Sequence, residues 1–135
     1  MALQFSVAVR NARLDAIETA IGTSAVLKIR TGAPPANVAA ADSGTVLATL
    51  SLPSVWMAAA SSGSKAKSGT WQDASADAAG TAAHFRIYAS DGTTAHAQGT
   101  VTVTGGGGDM TVDNTSFASG QNFTITTFSL TDGNA

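Results

Sequence analysis

Short segments in which apolar and polar residues alternate constrain the fold of this chain more than any other feature. Residues 25–31 (AVLKIRT) carry Lys28 and Arg30 on the face opposite to their apolar side chains. Residues 45–53 (TVLATLSLP) keep four apolar side chains on one face until Pro53 ends the pattern. Because successive side chains of a strand point to opposite faces, both segments are predicted to be β-strands with one buried face.

Turn signals separate further strands in the second half of the chain. The tripeptide Ser90-Asp91-Gly92 predicts a hairpin, since Asp-Gly supplies the backbone conformation that a tight turn needs. Before this turn, Phe85 and Ile87 share one face of a strand, and polar residues alternate with them. Near the end, the parity of the apolar residues changes across Thr126-Thr127, which predicts a β-bulge.

Residues 5–21 (FSVAVRNARLDAIETAI) have a helical period instead. Four apolar residues fall on one face: Val7, Leu14, Ile17 and Ile21. This single apolar stripe predicts a helix that packs on its own domain, ends near Gly22 and exposes Glu18. The start of the helix is left open, because alternate residues from 3 to 9 are also apolar, as in a strand.

Together these signals predict a mainly β chain, with one N-terminal helix followed by about seven to eight short antiparallel strands. Such an element order is typical of a β-sandwich or a jelly roll. At 135 residues we expect a single domain, with a helical segment at residues 1–22 and the β-sandwich at residues 25–135. Residues 54–80 carry no clear pattern, and the strand order is left open.

The composition argues against several classes of partner. The seven Lys and Arg residues form no basic patch and the net charge is −2, so no nucleic-acid partner is expected. No apolar run approaches the roughly 20 residues that span a bilayer, and no signal peptide is recognisable. We expect synthesis in the cytoplasm and no membrane contact. With only 12% charged residues, the surface suits either broad contacts with other chains or a plain β-domain.

No catalytic or metal-binding constellation can be recognised. The chain has no cysteine, and its two histidines, His84 and His96, are expected on neighbouring strands without a third ligand. No serine lies in a G-x-S-x-G turn, and Glu18 is the only glutamate. Two aspartate pairs have the spacing of turn and cap residues: Asp73 with Asp77, and Asp109 with Asp113. We therefore expect no enzyme activity, no cofactor and no metal.

Two tryptophans and a run of glycines are the candidate contact residues. Trp56 and Trp71 are interpreted either as core or interface residues or as platforms on which a sugar stacks. The run consists of Gly105, Gly106, Gly107 and Gly108. It lacks the Lys-Ser/Thr of a phosphate-binding loop and opens no helix, so a turn between two strands is expected.

Most of the chain resembles small structural proteins of tailed bacteriophages. The resemblance covers LQFSVAVRNARLDAIETAIGTSAVLKIRTGAPPA near the start, GSKAKSGTWQDASADAAGTAAHFRIYASDGTTAHAQGTVTVTGGGGDMTVDNTS, and SGQNFTITTFSLTDGNA at the end. It concerns the overall pattern, since this group has no catalytic signature.

What the resemblance implies is a virion component, and among virion roles a capsid decoration, or cement, protein. Its expected partners are the major capsid protein and copies of itself, as a dimer or trimer, and its expected location is the capsid surface. A tail- or fibre-associated protein is the alternative, followed by a carbohydrate-binding β-domain on the virion. In a decoration protein the glycine run would be a loop that settles on a partner subunit, whereas an ordinary loose hairpin loop is the simpler interpretation.

Overall fold

A computed structural model describes residues 3–133 and shows one helix followed by eleven short strands. The helix α1 comprises Val7–Ile21. The strands are β1 (Val26–Arg30), β2 (Val46–Ser51), β3 (Ser64–Ala66), β4 (Trp71–Asp73), β5 (Gly80–Thr81), β6 (His84–Tyr88), β7 (Ala95–Val103), β8 (Met110–Val112), β9 (Ser116–Phe117), β10 (Phe123–Ile125) and β11 (Ser129–Thr131).

The strands form one main sheet and three small ladders. The main sheet has the order β2-β1-β6-β7-β8, and the ladders pair β4 with β10, β3 with β11, and β5 with β9. The predicted mainly β fold with an N-terminal helix is confirmed. The strands are shorter and more numerous than predicted, and residues 54–80, which carry no sequence pattern, contain β3 and β4. One pairing, between β7 and β8, is parallel rather than antiparallel.

A chain of aromatic rings joins the main sheet to the ladders. Phe85 of β6 meets Phe128 edge to face, with ring centroids 5.8 Å apart, and Phe128 lies 5.6 Å from Trp71 of β4. Trp71 in turn lies 6.0 Å from Trp56. Aromatic pairs in this range of separations add to the stabilisation from apolar burial. The buried residues of the main sheet and of the ladders therefore form one hydrophobic cluster.

The structure contains the predicted hairpin at Asp91 but not the predicted bulge at Thr126-Thr127. The hairpin predicted at Asp91 is present, since β6 and β7 are antiparallel neighbours. Hydrogen bonds from the Thr94 hydroxyl and from the N–H groups of Thr94 and Thr93 hold the pKa of Asp91 at about 2. The predicted bulge at Thr126-Thr127 is wrong. The phase changes there because β10 ends and pairs with β4, whereas β11 begins after it and pairs with β3.

The helix packs on the domain with only part of its predicted stripe. It begins after Ser6, whose hydroxyl accepts a hydrogen bond from the N–H of Val9, and it ends at Gly22. Leu14 and Ile21 are buried, but Val7 is 46% exposed and Ile17 is 39% exposed. The stripe is therefore buried only at Leu14 and Ile21, and the side chains of Val7 and Ile17 remain exposed.

Charged residues complete the attachment of the helix. The ammonium group of Lys65 on β3 is buried, and it donates to Asp15 Oδ1 at 2.7 Å and lies 3.2 Å from Glu18 Oε1. Glu18 Oε2 accepts hydrogen bonds from the N–H groups of Trp56 and Met57, so the prediction that Glu18 is exposed is wrong. Burial opposes the charge on Lys65, but the bonds to Asp15 and Glu18 outweigh it and raise the pKa of Lys65.

The face of the main sheet opposite the hydrophobic cluster is covered by the segment that links β1 to β2. Sequence alternation gives this face Lys28 and Arg30 of β1 and the polar residues of β6. Arg30, His84 and Arg86 are nonetheless at most 6% exposed. The cover consists of residues 32–44, so strand β6 is buried on both of its faces.

Arg86 holds this cover in place. Its guanidinium donates to Asp42 Oδ1 at 2.7 Å and to the carbonyl oxygens of Asn37, Val38 and Ala40 at 3.0–3.1 Å. It also donates to the side-chain oxygen of Gln98. Burial disfavours the charge on Asp42, but hydrogen bonds from Tyr88 and Arg86 outweigh this and lower the pKa of Asp42.

We predict that Arg86→Met costs about 3 kcal/mol of unfolding free energy, the lower end of the range for a broken buried ion pair, because Asp42 keeps some exposure. The substitution also leaves three carbonyl groups without their donor. Urea unfolding at low protein concentration measures the change. Arg13→Met is the matched control, since Arg13 is exposed and its ion pair with Asp132 is worth at most about 1 kcal/mol. Equal losses in the two variants would contradict the assigned role of Arg86.

A second prediction concerns Tyr88, the only tyrosine of the chain. Burial and its hydrogen bond to Asp42 raise the pKa of Tyr88 above the usual 10.0, although Arg30 acts in the opposite direction. A raised folded-state pKa stabilises the fold below pH 10 and loses that effect as the pH rises through the folded value. Ultraviolet titration should give a higher midpoint for folded than for urea-unfolded protein. Equal midpoints would contradict this prediction.

Candidate binding surfaces

The glycine run makes a connection that is not a hairpin. Strands β7 and β8 run parallel, with Val101 opposite Met110 and Val103 opposite Val112. Parallel neighbours ordinarily need a crossover of about a dozen residues or more. Here only residues 104–109 lie between them, so the chain must double back against β7 before it starts β8. Both a hairpin loop and an antiparallel β8 are therefore wrong.

Each glycine of the run has a physical reason within the chain itself. Gly105 and Gly107 have φ angles of +87° and +83°, a region that other residues rarely adopt. A Cβ on Gly106 would lie 2.7 Å from the Thr102 side chain, and one on Gly108 would lie 3.0 Å from the Thr102 backbone nitrogen. The close approach is therefore to the chain's own strand. That this exposed loop also contacts a partner remains a prediction.

We predict that Gly108→Ala destabilises the fold by about 1–3 kcal/mol, the cost of overpacking a site with no spare room. The control is Gly133→Ala, where the added methyl group meets nothing within 4 Å. We expect the control to stay within about 0.5 kcal/mol of the parent chain. Thermal unfolding of both variants provides the measurement, and an unaffected Gly108→Ala variant would refute the close packing against Thr102.

A groove opens on the core side of the main sheet next to the C-terminal half of α1. Its volume is about 480 Å³, which is within the range of ligand-sized cavities. Its floor and walls are mainly apolar and include Ile17, Ile21, Phe85, Ile87 and Leu130. The polar residues of the lining are His96, Gln98, Asp109, Ser129 and Thr131.

A β-bulge explains the position of His96. The register between β6 and β7 shifts between Ile87 and Tyr88, so that Ala97 faces Ile87 while Ala95 faces Tyr88. His96 is the extra residue on β7. Bulges re-aim side chains, and here His96 lines the groove together with its neighbour Ala97. The sequence carries no recognisable signal for this bulge.

Asp109 has a structural role as well as a place in the groove. Its Oδ2 accepts hydrogen bonds from the N–H and the hydroxyl of Thr100, at 2.9 and 3.1 Å. It therefore anchors the end of the glycine loop to β7, while the residue itself is exposed. The groove lining contains this carboxylate and no lysine or arginine, so its rim is negatively charged.

The two tryptophans do not form a contact surface. Trp56 and Trp71 are both 0% exposed, so the hypothesis that they stack on a sugar or touch a partner is wrong. Trp56 Nε1 donates to the carbonyl oxygen of Gly22 at 3.0 Å, and Trp71 Nε1 donates to those of Trp56 and Ser68 at 3.1 Å. Both are core residues, which is the other interpretation that the sequence left open.

Of the remaining candidate residues for chemistry, the two histidines lie apart, whereas Asp73 and Asp77 meet at Thr49. His84 lies under residues 32–44 with its Nδ1 2.7 Å from the carbonyl oxygen of Gly32, whereas His96 lines the groove. Asp73 accepts a hydrogen bond from the N–H of Thr49, and Asp77 accepts one from the Thr49 hydroxyl. Within residues 3–133, no three His, Asp or Glu side chains are grouped so that they could hold a metal ion.

A surface missed by sequence reasoning lies at the start of the chain. Five large apolar residues are exposed there, which we call the N-terminal apolar surface: Leu3, Phe5, Val7, Val9 and Ile17. Val9 and Ile17 share the outward face of α1 with Arg13, whose guanidinium carbon lies 5.1 Å above the ring of Phe5. The sequence hint was the apolar alternation of residues 3–9, which exceeds what a single buried stripe requires.

Comparisons with protein-family models, with curated proteins and with solved structures find no match for this chain. Of the helices in the described residues, none has the length and apolar character needed to cross a bilayer.

Proposed function

We propose that this chain is a non-enzymatic structural protein of a tailed-bacteriophage virion. Its role would be that of a capsid decoration protein, which binds the outer shell, contacts copies of itself and stabilises the contacts between major capsid subunits. The sequence resemblance suggests this class. The structural observation that supports it is the N-terminal apolar surface, which holds five of the seven large exposed apolar residues among residues 3–133.

Concentrated apolar exposure favours a protein partner. Scattered exposed apolar residues are normal, but apolar residues exposed together on one face usually mark an interaction site, and Val9 and Ile17 share the outward face of α1. Burying such a patch contributes about 25 cal/mol for each Å² removed from water. The only charged side chain beside Val9 and Ile17 on the outward helix face is Arg13, so little charge has to be desolvated when the surface is covered.

The exposed glycine loop offers a second, separate surface. Its residues 105–107 are exposed, and Val103 beside it is 46% exposed. Glycine exposes backbone donors and acceptors that a close neighbour can reach. We assign the contact with the major capsid protein to this loop, which leaves the N-terminal apolar surface for another contact.

Mass spectrometry of purified phage particles from the strain that carries the gene tests the proposal. We expect the chain in the particles at a copy number comparable to that of the major capsid protein. A copy number matching a tail protein would instead support the tail- or fibre-associated alternative. Absence of the chain from intact particles that do contain the major capsid protein would overturn the proposal. Emptied capsids provide the control for carry-over from the lysate.

A further inference from the structure

We propose that a second copy of this chain covers the outward face of α1, which carries Val9, Arg13 and Ile17, through a two-fold dimer in which this face of each copy lies over the groove of the other. This dimer names the self-contact within the proposed function. It is tested with purified protein, so its failure and that of the virion role are separate results.

The two surfaces lie next to each other on the same subunit. Ile17 belongs to both, since it is 39% exposed on the outward face of α1 and also lines the groove. A two-fold interface uses one self-complementary patch twice, so a protruding element and a recess must be neighbours. A helix face beside a groove meets this requirement, with the axis passing close to Ile17.

The chemistry of the two surfaces is complementary. The helix face offers apolar side chains and one cation, Arg13, whose side chain is 55% exposed even with its contact to Asp132. The groove offers apolar walls and one carboxylate, Asp109, which uses Oδ2 within the chain and leaves Oδ1 as an acceptor. Opposite charges at the two ends of an apolar contact set the register of the partners.

The contact is small for a protein–protein interface. A standard interface buries about 800 Å² on each partner. A helix of 15 residues is about 22 Å long, so one helix face and one groove supply an area near or below that standard. We therefore expect a reversible dimer, whose population rises with protein concentration.

Sedimentation equilibrium across a concentration series is the first test. The parent chain should dimerise, and Val9→Asp and Ile17→Asp should each raise the dissociation constant at least about tenfold, since each buries a carboxylate in the contact. The matched control is Val55→Asp, because Val55 is 63% exposed and lies outside α1 and the groove lining. Circular dichroism checks that every variant is folded. If Ile17→Asp does not fold, the test relies on Val9→Asp alone.

Cross-linking locates the two-fold axis. The chain has no cysteine, so one introduced thiol can form only an intermolecular disulfide. Ile17→Cys should give a covalent dimer under mild oxidation with copper phenanthroline, whereas Val55→Cys should give little. A chain that stays monomeric at all concentrations, a trimer, or equal cross-linking of both variants would overturn the dimer. If the chain is monomeric but still binds particles, and Val9→Asp abolishes that binding, the outward face of α1 contacts a capsid subunit rather than a second copy.

Discussion

The buried guanidinium of Arg86 is the interaction on which the architecture of the main sheet depends. A charge on a central strand needs partners when water is excluded, and Arg86 finds them in Asp42, in three backbone carbonyls of the covering segment and in Gln98. Residues 32–44 have no regular strand or helix of their own. Three of their backbone carbonyls are satisfied by the Arg86 side chain, so a segment without a hydrophobic core of its own can cover the face of the sheet opposite the hydrophobic cluster.

A similar polar attachment explains why the helix leaves an apolar face in contact with water. Lys65, Asp15 and Glu18 fix one side of α1 to the domain through charges and backbone N–H groups. Because these contacts position the helix, its apolar residues are divided between the core and the outside. Leu14 and Ile21 are buried, whereas Val9 and Ile17 remain available to a partner. The proposed self-contact follows from how the helix is held.

For the glycine run, the sequence predicted the backbone properties of the loop but not the direction of the strand that follows it. Four consecutive glycines do indicate positive φ angles and close backbone approach, and both are present. The approach is to Thr102 of the preceding strand, because the loop must reverse twice within six residues to start a parallel neighbour. The local sequence does not show whether two neighbouring strands pair in parallel or antiparallel, so a hairpin was the simpler expectation.

The sequence by itself determined the β-rich class, the N-terminal helix, the hairpin at Asp91 and the main-sheet strands β1, β2, β6 and β7. These features depend on neighbouring residues, through side-chain alternation, helical period and turn chemistry. Only the tertiary structure decided the burial of Trp56, Trp71 and Arg86, the partners of Glu18, and the groove beside Ile17. These depend on which distant segments meet. Burial and ion pairing come from contacts between residues far apart in the chain, and no local period encodes them.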